Sequence, residues 1–139
     1  MSTYPVSPMQ LTSGVMWFPR MLDKIRLHAR GELGQDYHAN LGERMDKHCT
    51  AFLRIEYAAL RDRVLAGGSD EDLLAWCFEK GRPLHEVDLL VWNAFVSKRG
   101  WNDDASPRLA EMKAKFGAAD RSDIVTIPQF MDLDEGRIS

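Results

Sequence analysis

The residues best suited to chemistry lie at one corner of the chain, where Tyr37 and His38 are adjacent in the stretch GELGQDYHANLG. Histidine often acts as a general acid or base because its unperturbed pKa lies near neutral pH, and a nearby carboxylate would fix its tautomer. Asp23 and Asp46, which fall on the flanking helical segments, are the candidates for that carboxylate. The sequence therefore allows an enzyme that acts on a small molecule through Tyr37, His38 and one of these acids.

A structural role for the same residues is the more common outcome for such a pattern. The ring of Tyr37 would pack into the core, and the two carboxylates would form ion pairs with cations nearby in the chain, namely Arg20, Arg26 or Lys47. We expect this structural role more than catalysis, because no spacing typical of a nucleophile, base and orienting group occurs in the chain.

A charged first helix raises the question of anion or nucleic-acid binding. Its basic residues project in several directions at 100° per residue, so they form no single basic face, and a solvated face with local ion pairs is expected. Proteins that bind nucleic acid usually carry a strong basic patch, whereas this chain has a net charge of −3. We predict no nucleic-acid partner, and we retain Arg20, Arg26 and Asn93 as candidates for contacting a ligand.

Metal binding is not predicted, and neither is a cofactor. The four histidines, His28, His38, His48 and His85, are ten or more residues apart, and no HExxH, CxxC or Glu-x-x-His motif accompanies them. The sequence leaves open whether these histidines converge in space. The two cysteines, Cys49 and Cys77, lie among apolar neighbours and are expected to be reduced core residues.

The elements that must position these residues are predicted to be helices. Apolar spacing, proline starts and glycine stops outline them at 19–31, 69–81, 84–99, 106–117 and from 128 onward. In residues 42–66 two apolar stripes are offset by about a quarter turn, which favours a break near Arg54 over one curved helix. The segment at about 84–99 is apolar on nearly all sides, and such a helix is normally buried among others.

These elements predict an all-α fold in one domain that spans residues 1–139. Its six or seven short helices would form an orthogonal array around a buried central helix at about 84–99. The length of 139 residues suits one domain. Residues 1–16, with Pro5 and Pro8, are expected to form an extended strap without a signal peptide. No apolar run is long enough to cross a membrane, so we expect a cytoplasmic protein with no membrane partner.

Several blocks of the sequence resemble those of a known family. They include PRMLDKIR at 19–26, GELG at 31–34, YHANLG at 37–42, SDEDLLAW at 69–76, KRGW at 98–101 and DEGR at 134–137. At these spacings, over nearly the full length, the chain resembles a family of bacterial proteins known as domain of unknown function 5069. Arg54 departs from the glycine expected at that position. The resemblance implies a bacterial, cytosolic, helical protein, but it implies no reaction, cofactor or catalytic residue.

Function is therefore predicted only in outline. Because the sequence shows no catalytic geometry, a non-enzymatic binding or protein-interaction module is the first hypothesis, and a homodimer is left open. Trp17, Leu27 and Trp101 could supply the apolar contact of such an interface. The alternative is the small-molecule enzyme that uses Tyr37 and His38.

Overall fold

The computed structural model describes residues 3–139, and over these residues the chain forms seven α-helices, one 3-10 helix and one short hairpin. The hairpin pairs β1 (Leu11–Thr12) with β2 (Val15–Met16), and the 3-10 helix covers Gln35–Asn40. The α-helices are α1 (Phe18–Ala29), α2 (Met45–Leu53), α3 (Tyr57–Leu65), α4 (Asp70–Lys80), α5 (Glu86–Lys98), α6 (Ser106–Phe116) and α7 (Ile127–Asp134). The prediction of a helical fold with six or seven helices is confirmed.

The N-terminal region, which we predicted to be an extended strap, contains the hairpin. Residues 3–10 are irregular, and the chain then turns back through β1 and β2. Asn93 fastens this hairpin to α5, since its Nδ2 donates to the Gly14 carbonyl at 2.8 Å and its Oδ1 accepts from the Met16 amide at 3.0 Å. The oxygen and the nitrogen of the Asn93 side-chain amide therefore both make structural hydrogen bonds.

Residues 42–66 form two helices, as the offset stripes predicted. Arg54 ends α2 in the left-handed region, with φ of 59° and ψ of 46°. Glycine adopts this conformation at no steric cost, which gives a physical reason to expect glycine at this position. Arg54 adopts it as well, so the helix ends where the apolar stripe shifts.

Two hydrophobic clusters build the domain. The larger surrounds α1, which buries eight of its twelve residues and packs against α3. The smaller joins α6 and α7 through Leu109, Ile124, Ile127, Phe130 and Leu133. Met131 packs against both clusters, and the cavity described below has walls from both.

The helix predicted at about 84–99 is present as α5, but the prediction that it is buried is wrong. α5 buries only Trp92 and Val96, while Val87, Leu90 and Val91 are 69%, 70% and 57% exposed. An apolar sequence shows what a helix could bury, but the neighbours available in the fold decide how much it does bury. The most buried helix is α1, whose charged residues suggested a solvated face.

The charged side of α1 is the second correction. A solvated face with local ion pairs was expected for this helix, yet Arg20 and Lys24 are only 2% and 4% exposed, and Leu27 is 3% exposed. Elements distant in the chain cover them, and no periodicity within α1 can reveal these neighbours. Across residues 3–139, every helix is too short or too polar to pass through a bilayer.

Candidate anion-binding cavity

A cavity of about 700 Å³ opens between α1, the 3-10 helix, α6 and α7. Its volume is within the range of small-molecule sites, about 300–1,000 Å³. The apolar part of its wall comes from both clusters, namely Trp17, Met45, Met112, Ile127, Phe130 and Met131. Its cationic part comes from Arg20, Lys24, Arg44, Arg99 and Arg108. Basic groups and an apolar wall together suit an organic molecule that carries negative charge.

Arg20 and Glu135 form a buried ion pair in this wall. The Arg20 guanidinium donates to Glu135 twice, with Nη1 to Oε1 at 2.8 Å and Nη2 to Oε2 at 2.6 Å. Tyr37 also donates its hydroxyl to Glu135 Oε2 at 2.7 Å, and Arg137 binds Oε1. Burial alone would raise the pKa of Glu135, but Arg20, with the hydrogen bonds from Tyr37 and Arg137, outweighs this effect and lowers the pKa, so the carboxylate stays ionised.

Tyr37 lines the cavity but holds its proton firmly. Burial raises the pKa of its hydroxyl, and the hydrogen bond to the negatively charged Glu135 raises that pKa further. A phenol in this setting is neutral at physiological pH. It can position Glu135 or donate a hydrogen bond, but it is a poor base.

Lys24 and Asp46 form a second buried ion pair beside the first. Lys24 Nζ lies 2.8 Å from Asp46 Oδ2, and the two side chains are 5% and 0% exposed. Asp46 also accepts from Trp17 Nε1 at 2.9 Å and from the Gly42 amide at 3.1 Å. Burial lowers the pKa of Lys24 despite the opposing effect of Asp46. The pair fixes α1 to α2 at the cavity, with Lys24 in its lining and Asp46 behind it.

One end of the cavity gathers three arginines, Arg44, Arg99 and Arg108. Arg108 makes no hydrogen bond or ion pair within residues 3–139, and its Nε is buried without a partner. Burial lowers the pKa of Arg108, and the charges of Arg44 and Arg99 lower it further, against the opposing charges of Asp103 and Asp104. A second cavity of about 480 Å³ shares Arg44, Met45, Arg99 and Arg108 with the first, so these residues form the junction between the two.

Acidic residues also line the cavity, and they restrict where an anion could bind. Glu135 is neutralised by Arg20 and Arg137, and Glu32 pairs with Arg30 at 3.1 Å. Asp36, Glu43 and Asp134 also line the cavity and form no ion pair within residues 3–139. Burial, with the charges of Glu135 and Asp36, raises the pKa of Asp134. An anion would be repelled there, so its charged group is expected at the Arg108 end.

Two cavity residues hold strained backbone conformations. Trp17, which precedes α1, has φ of 73°, and Arg44, which precedes α2, has φ of 53° with ψ of −118°. Non-glycine residues rarely occupy these regions, and such strain is concentrated at binding and catalytic sites. The fold therefore maintains two unfavourable backbone conformations at residues that line the cavity.

The other predicted site residues lie away from the cavity. His38 contacts the Leu33 carbonyl through Nε2 at 3.0 Å, and its ring packs edge-on against His28 at 4.8 Å. Asp23 accepts from the Val6 amide at 2.9 Å and so holds the N-terminal segment on α1. Arg26 binds Asp70 at 2.7 Å, which ties α1 to the start of α4. Arg20 and Tyr37 are thus the predicted residues that line the cavity, with Asp46 behind its wall.

The histidines do not meet as a group. His28 and His38 are in contact, whereas His48 packs on Phe95 and His85 precedes α5. Within residues 3–139, the histidines, cysteines and acids form no cluster of three or more that could hold a metal ion. Both cysteines are free and buried, and burial raises the pKa of Cys77 to about 12, which leaves that thiol unreactive.

Sequence reasoning missed the residues that complete the site. Glu135, Lys24 and Arg108 were not singled out as ligand contacts. The sequence did contain one signal for two of them, Lys24 and Glu135. The blocks PRMLDKIR, YHANLG and DEGR contain Lys24, Tyr37 and Glu135, and these blocks meet in space at the cavity.

The family model described as domain of unknown function (DUF5069) matches residues 2–137. The chain belongs to this family. A search of the curated proteins gives no match. The family description carries no activity, so the function has to be inferred from the cavity.

Proposed function

We propose that this protein is a non-enzymatic binding protein for a small organic anion, a molecule that bears a phosphate or carboxylate on an apolar body. The observation that carries the proposal is Arg108, a guanidinium at the cavity junction with a buried, unpartnered Nε and no ion pair within residues 3–139. The Nε of Arg20 is also buried without a partner, but the charge of Arg20 is already paired with Glu135. A buried donor without an acceptor costs free energy, and an anion would supply the missing acceptor.

Further support comes from the surroundings of Arg108. Arg44 and Arg99 border the same junction, and Arg99 already shares its charge with Asp103 and Asp104 at 3.4 and 2.7 Å. The pKa of the nearby His48 is lowered by burial and then by Arg99, as expected for a region of positive potential. The methionine and aromatic side chains of the wall would contact the apolar body of the ligand.

Catalysis is not part of the proposal. The alternative enzyme needs His38 and a carboxylate beside Tyr37 in one cavity, whereas His38 contacts Leu33 and His28 elsewhere. We further propose a cytoplasmic location. We also propose no nucleic-acid partner, since a junction of three arginines in a chain of net charge −3 suits a small anion better than a polyanion.

The test is titration of the protein with phenyl phosphate and inorganic phosphate, observed by NMR at the arginine Nε–H signals. We expect phenyl phosphate to shift the Arg108 signal and to bind more tightly than inorganic phosphate, while neutral phenol leaves the signal unchanged. Arg108→Gln should weaken binding by about tenfold to a hundredfold, since a hydrogen bond to a charged group contributes about 1.5–3 kcal/mol.

Arg61→Gln is the matched control, because Arg61 is half exposed, pairs only with its neighbour Asp62 and lies outside the cavity. It should bind phenyl phosphate as the unmodified protein does. The proposal is wrong if millimolar phenyl phosphate leaves the Arg108 signal unmoved, or if Arg61→Gln and Arg108→Gln lose affinity equally.

A further inference from the structure

The outer face of α5 exposes a row of apolar side chains in a regular helical pattern. Val87, Leu90 and Val91 are 69%, 70% and 57% exposed. With Ala94 they have the spacing i, i+3, i+4 and i+7, which places them on one side of the helix. Single exposed apolar residues are normal on protein surfaces, but several together mark an interaction site.

The rest of the domain uses the opposite side of α5. Trp92 and Val96 are buried, and Trp92 Nε1 donates to the Met16 carbonyl at 2.8 Å while Asn93 holds the hairpin. Among residues 3–139, therefore, α5 is attached along one face and leaves the other to solvent. These contacts of Trp92 and Asn93 hold α5 in place, so loose packing of the helix does not explain why its apolar face is exposed.

We propose that this face is a homodimer interface in which α5 of one copy packs antiparallel on α5 of a second copy. Charge at the two ends of the face selects that occupant. Glu86 begins the helix and Lys98 ends it, and neither forms an ion pair within residues 3–139. Antiparallel pairing about a two-fold axis places each lysine beside the acidic first turn of the other copy.

A parallel pair would instead bring the two copies of Lys98 together, which like-charge repulsion disfavours. Asp88 is not needed for the pairing, because it already accepts from the His85 amide at 3.0 Å and pairs with Arg82 at 3.5 Å. The surface thus complements itself: an apolar centre with an acidic end and a basic end.

The expected dimer is weak. α5 has 13 residues and is about 20 Å long, so its face alone buries less than the roughly 800 Å² per partner of a typical stable interface. We expect a dissociation constant in the micromolar range, and the experiment must span concentrations on both sides of it.

Sedimentation velocity over about 1–500 µM tests the proposal, since that range brackets micromolar dissociation constants. Leu90→Glu should raise the dissociation constant at least tenfold. Leu65→Glu is the matched control, because Leu65 is 52% exposed at the end of α3 and lies off this face. Circular dichroism verifies that both variants are folded.

Charge exchange tests the orientation. Glu86→Lys and Lys98→Glu should each weaken the dimer several-fold, and the double variant should restore it, because the antiparallel pairs then form with reversed signs. In addition, Val91→Cys lies near the expected two-fold axis and should form a disulfide-linked dimer on oxidation, whereas the native Cys49 and Cys77 are buried.

The proposal is overturned if the unmodified protein remains monomeric over the whole range. It is also overturned if Leu65→Glu weakens association as much as Leu90→Glu does, or if the double charge exchange fails to restore it. None of these outcomes bears on anion binding at the cavity, so the two proposals fail independently.

Discussion

The cavity wall on α1 buries charged side chains, whereas the outer face of α5 exposes apolar ones. On α1, Arg20 and Lys24 are at most 4% exposed, although both are charged. On α5, Leu90 and Val87 are about 70% exposed, although both are apolar. Burying a charge is costly unless a partner compensates it, and exposing an aliphatic row forgoes hydrophobic stabilisation. Each region accepts an unfavourable local arrangement, which is typical of surfaces retained for binding.

The two regions also differ in how the fold compensates them. The charges on α1 are balanced by Asp46, which belongs to α2, and by Glu135, which follows α7. The aliphatic row on α5 has no counterpart within residues 3–139. We therefore expect the α1 region to be essential to the stability of the monomer, and the α5 row to matter only for association.

The largest effect is expected from Glu135→Gln. The substitution removes the negative charge that Arg20 and Arg137 share, and it leaves the Arg20 guanidinium buried without an anion. Breaking a buried ion pair on one side costs about 3–5 kcal/mol, so the free energy of unfolding in urea should fall by that amount. Asp62→Asn, in an exposed pair with Arg61, should change it by less than about 1 kcal/mol.

The same carboxylate predicts the acid sensitivity of the protein. Because the folded state lowers the pKa of Glu135, its contribution is complete above the unfolded value near 4.5 and is lost as the pH falls through the folded pKa. Stability measured at decreasing pH should therefore drop below about pH 4.5. A stability of Glu135→Gln that falls equally steeply there would show that other carboxylates control this loss.

A smaller effect is expected from Lys24→Met, which leaves Asp46 buried with the Trp17 indole and the Gly42 amide as its remaining partners. The free energy of unfolding should fall by about 3 kcal/mol. Lys24→Met combined with Asp46→Asn should lose less than the sum of the two single losses, because no unpaired charge remains. Additive losses in this double-mutant cycle would show that the two residues act separately.

The smallest effect is expected from Leu90→Ser at concentrations where the protein is monomeric. An exposed side chain contributes little to folding, so stability should change by no more than about 0.5 kcal/mol. Leu22→Ala, at a side chain with 0% exposure, should cost about 2–5 kcal/mol under the same conditions. A large loss of stability from Leu90→Ser in the monomer would show that the α5 row, like the α1 region, stabilises the monomer.

The sequence by itself determined the helices and most of their ends. Ser69 accepts from the Asp72 amide at 3.1 Å and begins α4 as its capping pattern predicts. The offset stripes located the break at Arg54, and Pro107 and Gly117 bound α6. These features depend on interactions between residues close in the chain, which a local pattern contains.

Only the tertiary structure decided which faces are covered and which side chains meet. Arg20 and Glu135 are 115 residues apart, and no periodicity links them. The apolar pattern of α5 is compatible with a buried helix or with an exposed interface, because hydrophobicity measures the benefit of burial and not the presence of a neighbour. The candidate site shows the same limit: Tyr37 and Arg20 were found by residue type, whereas Arg108 became a candidate only through its position beside the cavity.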